Sequence, residues 1–154
     1  MISWYYDDKT EILFNKIPCI GVRYVLPSMS QEEIKSIKKY PFINKTELLV
    51  ILKDKVKNKN YEFVIPKGYC YDGASIPRLF WRVIGSNTDN NFLVAALVHD
   101  VLCENHSYIN NDRAFSTRVF DCLLKCSGVF PLKRFFMKNS VDIFQKVVWN
   151  MDKK

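Results

Sequence analysis

Residues 93–106 read LVAALVHDVLCENH, and this stretch decides the fold of the chain. A run of seven apolar residues, from Phe92 to Val98, leads directly into the polar pair His99 and Asp100. A helix that is apolar on every side is typical of a protein interior, because none of its faces prefers water. The stretch therefore predicts a central helix over residues 91–105, with a titratable pair in its second half.

Two further helices are predicted after it. NDRAFSTRVFDCLLKCSG, residues 111–128, is typical of a helix with Asn110 or Asn111 as its N-cap and Gly128 at its end. PLKRFFMKNSVDIFQKVVW, residues 131–149, predicts a third helix that begins at its proline. The apolar stripe expected on this third helix consists of Leu132, Phe135, Phe136, Ile143 and Val147. The connection NHSYINN is short, so the first two helices should be antiparallel neighbours.

The N-terminal third is rich in β-branched and aromatic residues. SWYYD, EILFNK and CIGVRYVL predict strands, and ELLVILKD and YEFVIP predict a hairpin around KDKVKNKN. SMSQEEIKSIKKY predicts a short helix, with Ser30 as N-cap and Glu33 completing a capping box. After PKGYCYDGAS, a short helix is expected to open at Pro77.

These elements predict an α+β fold, in which an N-terminal antiparallel β-sheet packs against a C-terminal three-helix unit. The length of 154 residues fits one domain over residues 1–154. Residues 1–66 should be mainly strands with one short helix, and residues 67–154 a loop followed by helices.

Composition limits the function classes. The net charge of +7 comes largely from lysines in the N-terminal half, which could attract nucleic acid or another anion. Their loop KDKVKNKN lacks the interleaved arginines and aromatics of most nucleic-acid sites and is more typical of a solvated surface. Five irregularly spaced cysteines and an N-terminus without an apolar core indicate reduced thiols and no signal peptide. No stretch is long enough to predict a transmembrane segment.

The candidate site is built around His99. On the second predicted helix, Asp112 lies three residues before Phe115 and shares its inward face. Antiparallel packing should then bring Asp112 close to His99 and Asp100. A buried imidazole flanked by carboxylates is typical of a general base, of a divalent-metal site, or of a satisfied polar cluster that joins two helices. All three alternatives stay open.

The segment YDGASIP adds two candidates, Asp72 and Ser75. Asp72 either braces a turn or brings a third carboxylate to the cluster, where it could bind a divalent cation with Asp100. Ser75 either caps the following helix or acts as a nucleophile if His99 reaches it. The motif G-x-S-x-G is absent, so an α/β-hydrolase elbow is not supported.

Three residues near the helix end complete the set. Cys103 lies four residues after His99 on the same face, so the two are a possible nucleophilic couple. A thiol packed in the core as a small hydrophobe is the commoner role. Glu104 and His106 could add metal ligands, but the polarity of a helix end explains them equally well.

PKGYCYDGASIPRLFW, AALVHDVLC and NDRAF together resemble a family of small phage and prophage proteins classed as a domain of unknown function. The family pattern is about P-x-G-F-x-T-D-x-A-S-x-P-x-x-F-W, then A-x-x-H-D-x-x-Y and A-D-x-x-F. The matching residues are Asp72, Ala74, Ser75, Pro77, Phe80, Trp81, His99, Asp100 and Asp112. Tyr69 stands where the family has Phe, and Cys103 where it has Tyr. The resemblance covers about residues 60–130 and implies a phage or prophage source without implying a reaction.

A second resemblance, to secreted phospholipases, concerns mechanism. There a His activates water, the adjacent Asp binds calcium, and an Asp-Arg on an antiparallel helix orients the His. His99, Asp100 and Asp112 with Arg113 would correspond to these parts. The chain departs from that family because it lacks a disulfide framework and a glycine-rich calcium loop. The His-Asp phosphohydrolases need a further upstream His, which this sequence lacks.

The leading hypothesis is a phage-encoded protein with a His99–Asp112 dyad and with Asp72 and Asp100 nearby; if the protein is an enzyme, it is a hydrolase. In it, His99 deprotonates water, Asp112 orients His99, and Asp100 or Asp72 binds a divalent cation. The first alternative is a non-enzymatic virion component or host-interaction module, in which the cluster is structural. The second is an anion or nucleic-acid binder that uses the lysine-rich surface. The expected location is the cytoplasm of the infected bacterial host or the virion.

Overall fold

The computed structural model describes residues 3–72 and 90–152. In chain order the described strands are β1 (Ser3–Tyr6), β2 (Thr10–Phe14), β3 (Ile20–Val22), β4 (Phe42–Asn44), β5 (Leu48–Asp54), β6 (Lys59–Ile65) and β7 (Cys70–Tyr71). The described helices are α1 (Gln31–Lys39), α2 (Asn90–Glu104), α3 (His106–Ile109), α4 (Arg113–Cys126) and α5 (Pro131–Asp152). Strands fill the N-terminal half and helices dominate the C-terminal half, so the predicted α+β class is confirmed. The helix predicted at Pro77 lies outside the described residues.

The strands form two antiparallel sheets, where the sequence predicted one. The larger sheet has the order β1-β2-β5-β6, and the smaller has the order β3-β4-β7. Both β4 and β7 are too short to show an alternating pattern in the sequence, since they contain three and two residues. The second sheet matters for the site because β7 ends directly before Asp72.

The lysine-rich segment forms the tip of the β5–β6 hairpin, as predicted. Leu48, Val50 and Leu52 alternate with less buried residues, so one face of β5 packs into the core. The carboxylate of Asp54 accepts hydrogen bonds from the backbone N–H groups of Val56 and Lys57, at 3.0 and 3.3 Å. These bonds close the turn in the way that Asp side chains commonly do.

The α1 helix has the predicted capping box. The Ser30 hydroxyl accepts from the Glu33 N–H at 3.2 Å, and the Glu33 carboxylate accepts from the Ser30 N–H at 3.0 Å. Each bond satisfies a donor that the start of a helix would otherwise leave unpaired. The end of this helix is important later, because Lys39 and Tyr40 reach the candidate site.

The predicted central helix is α2. Every residue from Phe92 to Cys103 is buried, which places the whole middle of the helix out of contact with water. Burying one side chain such as Leu97 contributes about 1.5–3 kcal/mol to stability. The Tyr71 hydroxyl donates to the Leu93 carbonyl at 2.8 Å and fastens the smaller sheet to α2.

The α4 helix packs against both α2 and the larger sheet. Its N-cap is Asp112 rather than Asn110 or Asn111, so that boundary prediction was wrong by one residue or more. The Phe115 ring stacks on the Tyr61 ring with centroids 4.9 Å apart. Gly128, with φ of 82°, follows the helix end as expected for a residue in the left-handed region.

The face of α5 that was predicted to be buried is largely exposed. Leu132, Phe135 and Ile143 are exposed, and Phe136 is half-buried. The side chain of Val147 lies outside the described part of the chain. Among the α5 side chains that the structure describes, the buried ones are instead Met137, Ser140, Val141 and Gln145. Two of these are polar and form internal hydrogen bonds, so apolar periodicity alone selected the wrong face.

Candidate functional site

A cavity of about 210 Å³ lies beside the C-terminal half of α2. The residues that line it come from the end of α1, from the residue after β7 and from α2. They are Lys39, Tyr40, Asp72, His99, Asp100, Cys103 and Glu104. The spacing of four residues places His99 above Cys103 and Asp100 above Glu104 on adjoining faces of the helix. The structure thus brings Asp72, His99 and Asp100 to one cavity.

The His99 imidazole is almost completely enclosed, with 1% of its surface exposed. Its Nδ1 atom lies 3.5 Å from Oδ1 of Asp100. On another side, the Phe120 ring of α4 lies 5.3 Å from the imidazole, measured between ring centroids. A carboxylate beside one ring nitrogen favours the imidazolium form during proton transfer, and an aromatic wall restricts the orientation of the ring.

Cys103 faces the same imidazole. Its Sγ atom lies 3.6 Å from Nε2 and 3.9 Å from Nδ1 of His99. From α5, Nε2 of Gln145 donates to the same sulfur at 3.1 Å. The Oε1 atom of Gln145 in turn accepts from the Thr117 hydroxyl at 2.8 Å. A thiol and an imidazole of α2 are thereby held in contact with an amide of α5, which also accepts a hydrogen bond from α4.

Glu104 forms the outer part of the cavity wall. It accepts a hydrogen bond from the Tyr69 hydroxyl, which precedes β7. Burial raises the pKa of Glu104, the Tyr69 bond opposes that rise, and the negative charge of Asp72 adds to it. Glu104 is thus the third carboxyl group beside the cavity, together with Asp72 and Asp100.

Asp112 lies away from the cavity. Its carboxylate caps α4 by accepting from the Phe115 N–H at 2.7 Å, and it forms an ion pair with Lys57 of the β5–β6 hairpin. Between His99 and Asp112, both of which the structure describes, there is no hydrogen bond or ion pair. The orienting role assigned to Asp112 therefore has no direct contact to support it.

The helix register explains this separation. The Phe120 ring lies beside both Phe92 and His99, so the middle of α4 is level with the middle of α2. Asp112 stands eight residues before Phe120, which is about 12 Å along the helix axis. The antiparallel direction of the two helices stays a prediction, but their contact at Phe120 leaves Asp112 about 12 Å along α4 from the level of His99.

The pKa of Asp112 is lowered. Burial pushes it upward, but the hydrogen bond from Lys57 and the backbone bond from Phe115 outweigh that effect. A carboxyl group with a depressed folded pKa contributes stability above its unfolded pKa of about 3.9, and loses it as the pH falls through the folded value.

We expect Asp112→Ala to lower the free energy of unfolding at pH 7 by about 1 kcal/mol, because the N-cap is lost. Asp112→Asn should cost only a few tenths of that amount, since Asn is also a good N-cap. Urea unfolding at pH 7 and at a pH below about 3 would check both, and the difference between wild type and Asp112→Asn should be smaller at the lower pH. Equal losses for the two variants at pH 7 would contradict the capping role.

The metal and nucleophile predictions are only partly addressed. Asp72 and Asp100 line the same cavity, but among the described residues no group of three or more His, Cys, Asp or Glu side chains could hold a metal ion. A divalent cation therefore stays a prediction. Ser75 lies outside the described residues.

Of the helices in residues 3–72 and 90–152, none is long and apolar enough to cross a membrane.

Several contributors to the site were not anticipated. Lys39 and Tyr40 come from a helix with no sequence signal for a site, and Tyr69 was noted only for replacing a Phe. Gln145 was overlooked because it lies off the apolar stripe predicted for α5. No sequence pattern singles out Gln145, because α5 also carries polar residues such as Lys138, Asn139 and Asp142.

A family model described as protein of unknown function (DUF1353) matches residues 49–141, which is more than half of the chain. The chain belongs to the DUF1353 family. The uncharacterized protein y4jT of Sinorhizobium fredii (strain NBRC 101917 / NGR234) is 42% identical over 48 residues. These residues are 31% of this chain and 14% of the relative, so the likeness spans a small part of that protein. No solved structure matches the chain significantly.

The DUF1353 match runs from β5 into α5 and includes most of the cavity. Asp72, His99, Asp100, Cys103 and Glu104 lie within it, whereas Lys39, Tyr40 and Gln145 lie outside. The part of the site contributed by β7 and α2 is thus shared with the region that defines the family, and the remaining wall comes from flanking segments.

Proposed function

We propose that this DUF1353 protein is a hydrolase, with His99 as the general base. The observation that carries the proposal is that a buried imidazole and two nearby carboxylates, Asp72 and Asp100, line one small cavity. Burying these groups is costly unless they pair, and a cavity beside them is not needed for pairing alone. The proposal requires a substrate that enters the cavity and meets the imidazole there, because 1% of the imidazole surface is exposed.

In the proposed reaction, an imidazole nitrogen of His99 takes a proton from water, and the resulting hydroxide attacks the substrate. Asp100, at 3.5 Å, stabilises the imidazolium while the charge exists. The imidazolium then gives the proton to the leaving group, which restores the neutral base. General acid–base catalysis of this kind contributes about 10²–10⁴-fold to a rate.

Asp112 has a positioning role in this proposal. It fixes the start of α4, and α4 carries the Phe120 ring that packs against the imidazole. Its effect on His99 would thus pass through the helix and not through a hydrogen bond. Such a role predicts a smaller loss of rate for Asp112 variants than for His99 variants.

A phage or prophage source is also part of the proposal. It is supported by the likeness of residues 60–130 to small phage proteins, and it implies action in the infected host or in the virion.

We further propose that nucleic acid is not the substrate, because three lysines of the β5–β6 hairpin already contact oxygen atoms of other residues in the chain. Lys53 lies 3.8 Å from Glu11, Lys55 donates to the Asp7 carbonyl at 3.1 Å, and Lys57 pairs with Asp112.

The test compares the two histidines of the chain. The purified protein is assayed against chromogenic esters, amides and phosphoesters, and His99→Gln should lower kcat/KM by at least about 10²-fold. His106→Gln is the matched control, because it also removes an imidazole but lies outside the cavity lining. It should leave the rate unchanged.

Thermal unfolding of both variants separates catalysis from folding. A folded His99→Gln that keeps the wild-type rate would rule out the general base. If instead no substrate is turned over and His99→Gln only lowers the Tm, the cluster is structural. That result would favour the virion component or host-interaction module.

A further inference from the structure

We propose that Cys103 is the nucleophile of this site, which makes its substrates acyl compounds such as esters, thioesters or amides. The inference rests on the proposed hydrolase function and identifies the atom that His99 first deprotonates. It depends on three observations, which are the distance to the imidazole, the buried amide on the sulfur, and the shared cavity.

The first observation is the Cys103–His99 contact. With Sγ 3.6 Å from Nε2, the thiol is within hydrogen-bond distance of a base for its proton. Both residues are on α2, four positions apart, so the contact is held by a buried helix and requires no loop to close. Fixed placement of this kind is what a nucleophile and its base require.

The second observation is the Gln145 amide. Gln145 is fully buried, and its side chain divides its hydrogen bonds between the Cys103 sulfur and the Thr117 hydroxyl. An amide in the core is costly unless both of its ends are paired, and an apolar side chain would fill the same space without that cost. The Gln145 amide N–H donates to the sulfur, and this bond becomes stronger when the sulfur is a thiolate, which is a far better acceptor than a thiol.

The third observation is a comparison with Cys122, which is also fully buried. Its Sγ lies 3.9 Å from the Thr10 carbonyl oxygen, and burial raises the pKa of its thiol, so it behaves as a small apolar group. Cys103 differs because an imidazole and an amide surround its sulfur and because it lines the cavity. Cys122 bonds to a backbone carbonyl and lies beside Asp7 and Cys126, whereas Cys103 contacts a base that could take its proton.

The proposed reaction has two halves. The thiol proton moves to His99, the sulfur bonds to the acyl carbon, and the bond from that carbon to the leaving group breaks. The leaving group takes the proton from the imidazolium, which leaves a thioester on Cys103. His99 then deprotonates water, the hydroxide attacks the thioester carbonyl, and the carbon–sulfur bond breaks. The sulfur recovers the proton, and one water has been consumed for each acid and leaving group released.

The first experiment measures the alkylation of Cys103 by iodoacetamide in the folded protein, followed by peptide mass mapping. Each variant is compared at the same cysteine, so differences in exposure among the five cysteines cancel. We expect His99→Gln to slow the reaction of Cys103 by about tenfold, and His106→Gln to leave it unchanged. Gln145→Leu, which preserves the side-chain volume approximately, should slow it several-fold and serves if His99→Gln does not fold. An unchanged rate at Cys103 in the folded variants would overturn the proposal.

The second experiment traps the intermediate. The protein is mixed with p-nitrophenyl acetate and quenched in acid, and we expect one acetyl group on the Cys103 peptide of wild type. Cys103→Ala should show neither this adduct nor turnover. If Cys103→Ala keeps turnover while His99→Gln loses it, Cys103 is not the nucleophile and the general base stands. If folded His99→Gln also keeps turnover, both the nucleophile and the proposed function fail.

Discussion

Replacing Arg118 by methionine is expected to lower the free energy of unfolding by about 3–5 kcal/mol. One guanidinium nitrogen of Arg118, on α4, lies 2.9 Å from Oδ2 of Asp54, and the Asp54 side chain has no exposed surface. Methionine preserves much of the packing over the Phe115 ring, whose centroid lies 5.7 Å from the guanidinium carbon. The variant thus removes the charge and leaves a buried carboxylate without its cation, which is the expensive part of breaking such a pair.

The control for this prediction is Lys146→Met. Lys146 and Asp142 form an exposed ion pair at 3.9 Å on α5, four residues apart, and losing such a pair changes stability by less than about 0.5 kcal/mol. Both variants are compared by urea unfolding at pH 7. The double variant Asp54→Asn with Arg118→Met should recover part of the loss, because Asn can still accept the two turn hydrogen bonds. A loss below about 1 kcal/mol for Arg118→Met would show that water screens the pair.

This ion pair matters because it joins the two halves of the fold. Asp54 ends β5 and closes the hairpin turn, while Arg118 lies in the middle of α4. Lys57, three residues after Asp54, forms an ion pair with Asp112 at the start of the same helix. Two charged contacts therefore set how α4 lies on the larger sheet, and α4 in turn carries Phe120 to the candidate site.

Local signals in the sequence predicted the elements well. The Ser30–Glu33 capping box and the hairpin around Val56 are each decided by a few neighbouring residues, so their physics is visible in the sequence. The apolar run of α2 likewise required burial, whatever lay around it. The α+β class follows from these elements together.

Register and face choice were not visible in the sequence. The spacing of residues along the sequence could not show that α4 contacts α2 at Phe120. The prediction from the sequence therefore placed Asp112 too close to His99. The α5 helix turned a polar face inward because Thr117 and Cys103 supply partners for Gln145. Those partners lie 28 and 42 residues away in the chain, beyond the reach of any local pattern.

The candidate site was predicted in part for the same reason. Asp72 and the His99–Asp100 pair were identified from residue type and from burial, and they line one cavity. Lys39 and Tyr40 line the cavity because of the second sheet, which the sequence did not predict. In the chain, α1 lies between β3 and β4, and β4 pairs with β7 beside Asp72. Strands of two or three residues bury too few side chains to produce a pattern.

Phe120→Ala is expected to lower the free energy of unfolding by about 3–5 kcal/mol, which makes it the second large effect. The Phe120 ring is fully buried and lies edge-on to Phe92, with centroids 6.4 Å apart, as well as beside His99. Removing it loses the transfer free energy of the ring and leaves a void at the α2–α4 contact. Phe135→Ala makes the same change at a helix position that is 60% exposed, and should alter stability by no more than about 0.5 kcal/mol.

The same variant tests the helix register on which the assignment of the site depends. If Phe120 fixes the position of α4 along α2, Phe120→Ala should lower the rate of the reaction at His99 even in a fully folded protein. The reason is that no ring then packs against that side of the imidazole. Phe120→Leu, which refills most of the space, should cost less than about 1.5 kcal/mol and restore most of the rate. A Phe120→Ala protein with near wild-type stability would mean that the ring does not pack between the two helices. Asp112 could then lie closer to His99 than the register allows, and the dyad of His99 with Asp112 would regain its support.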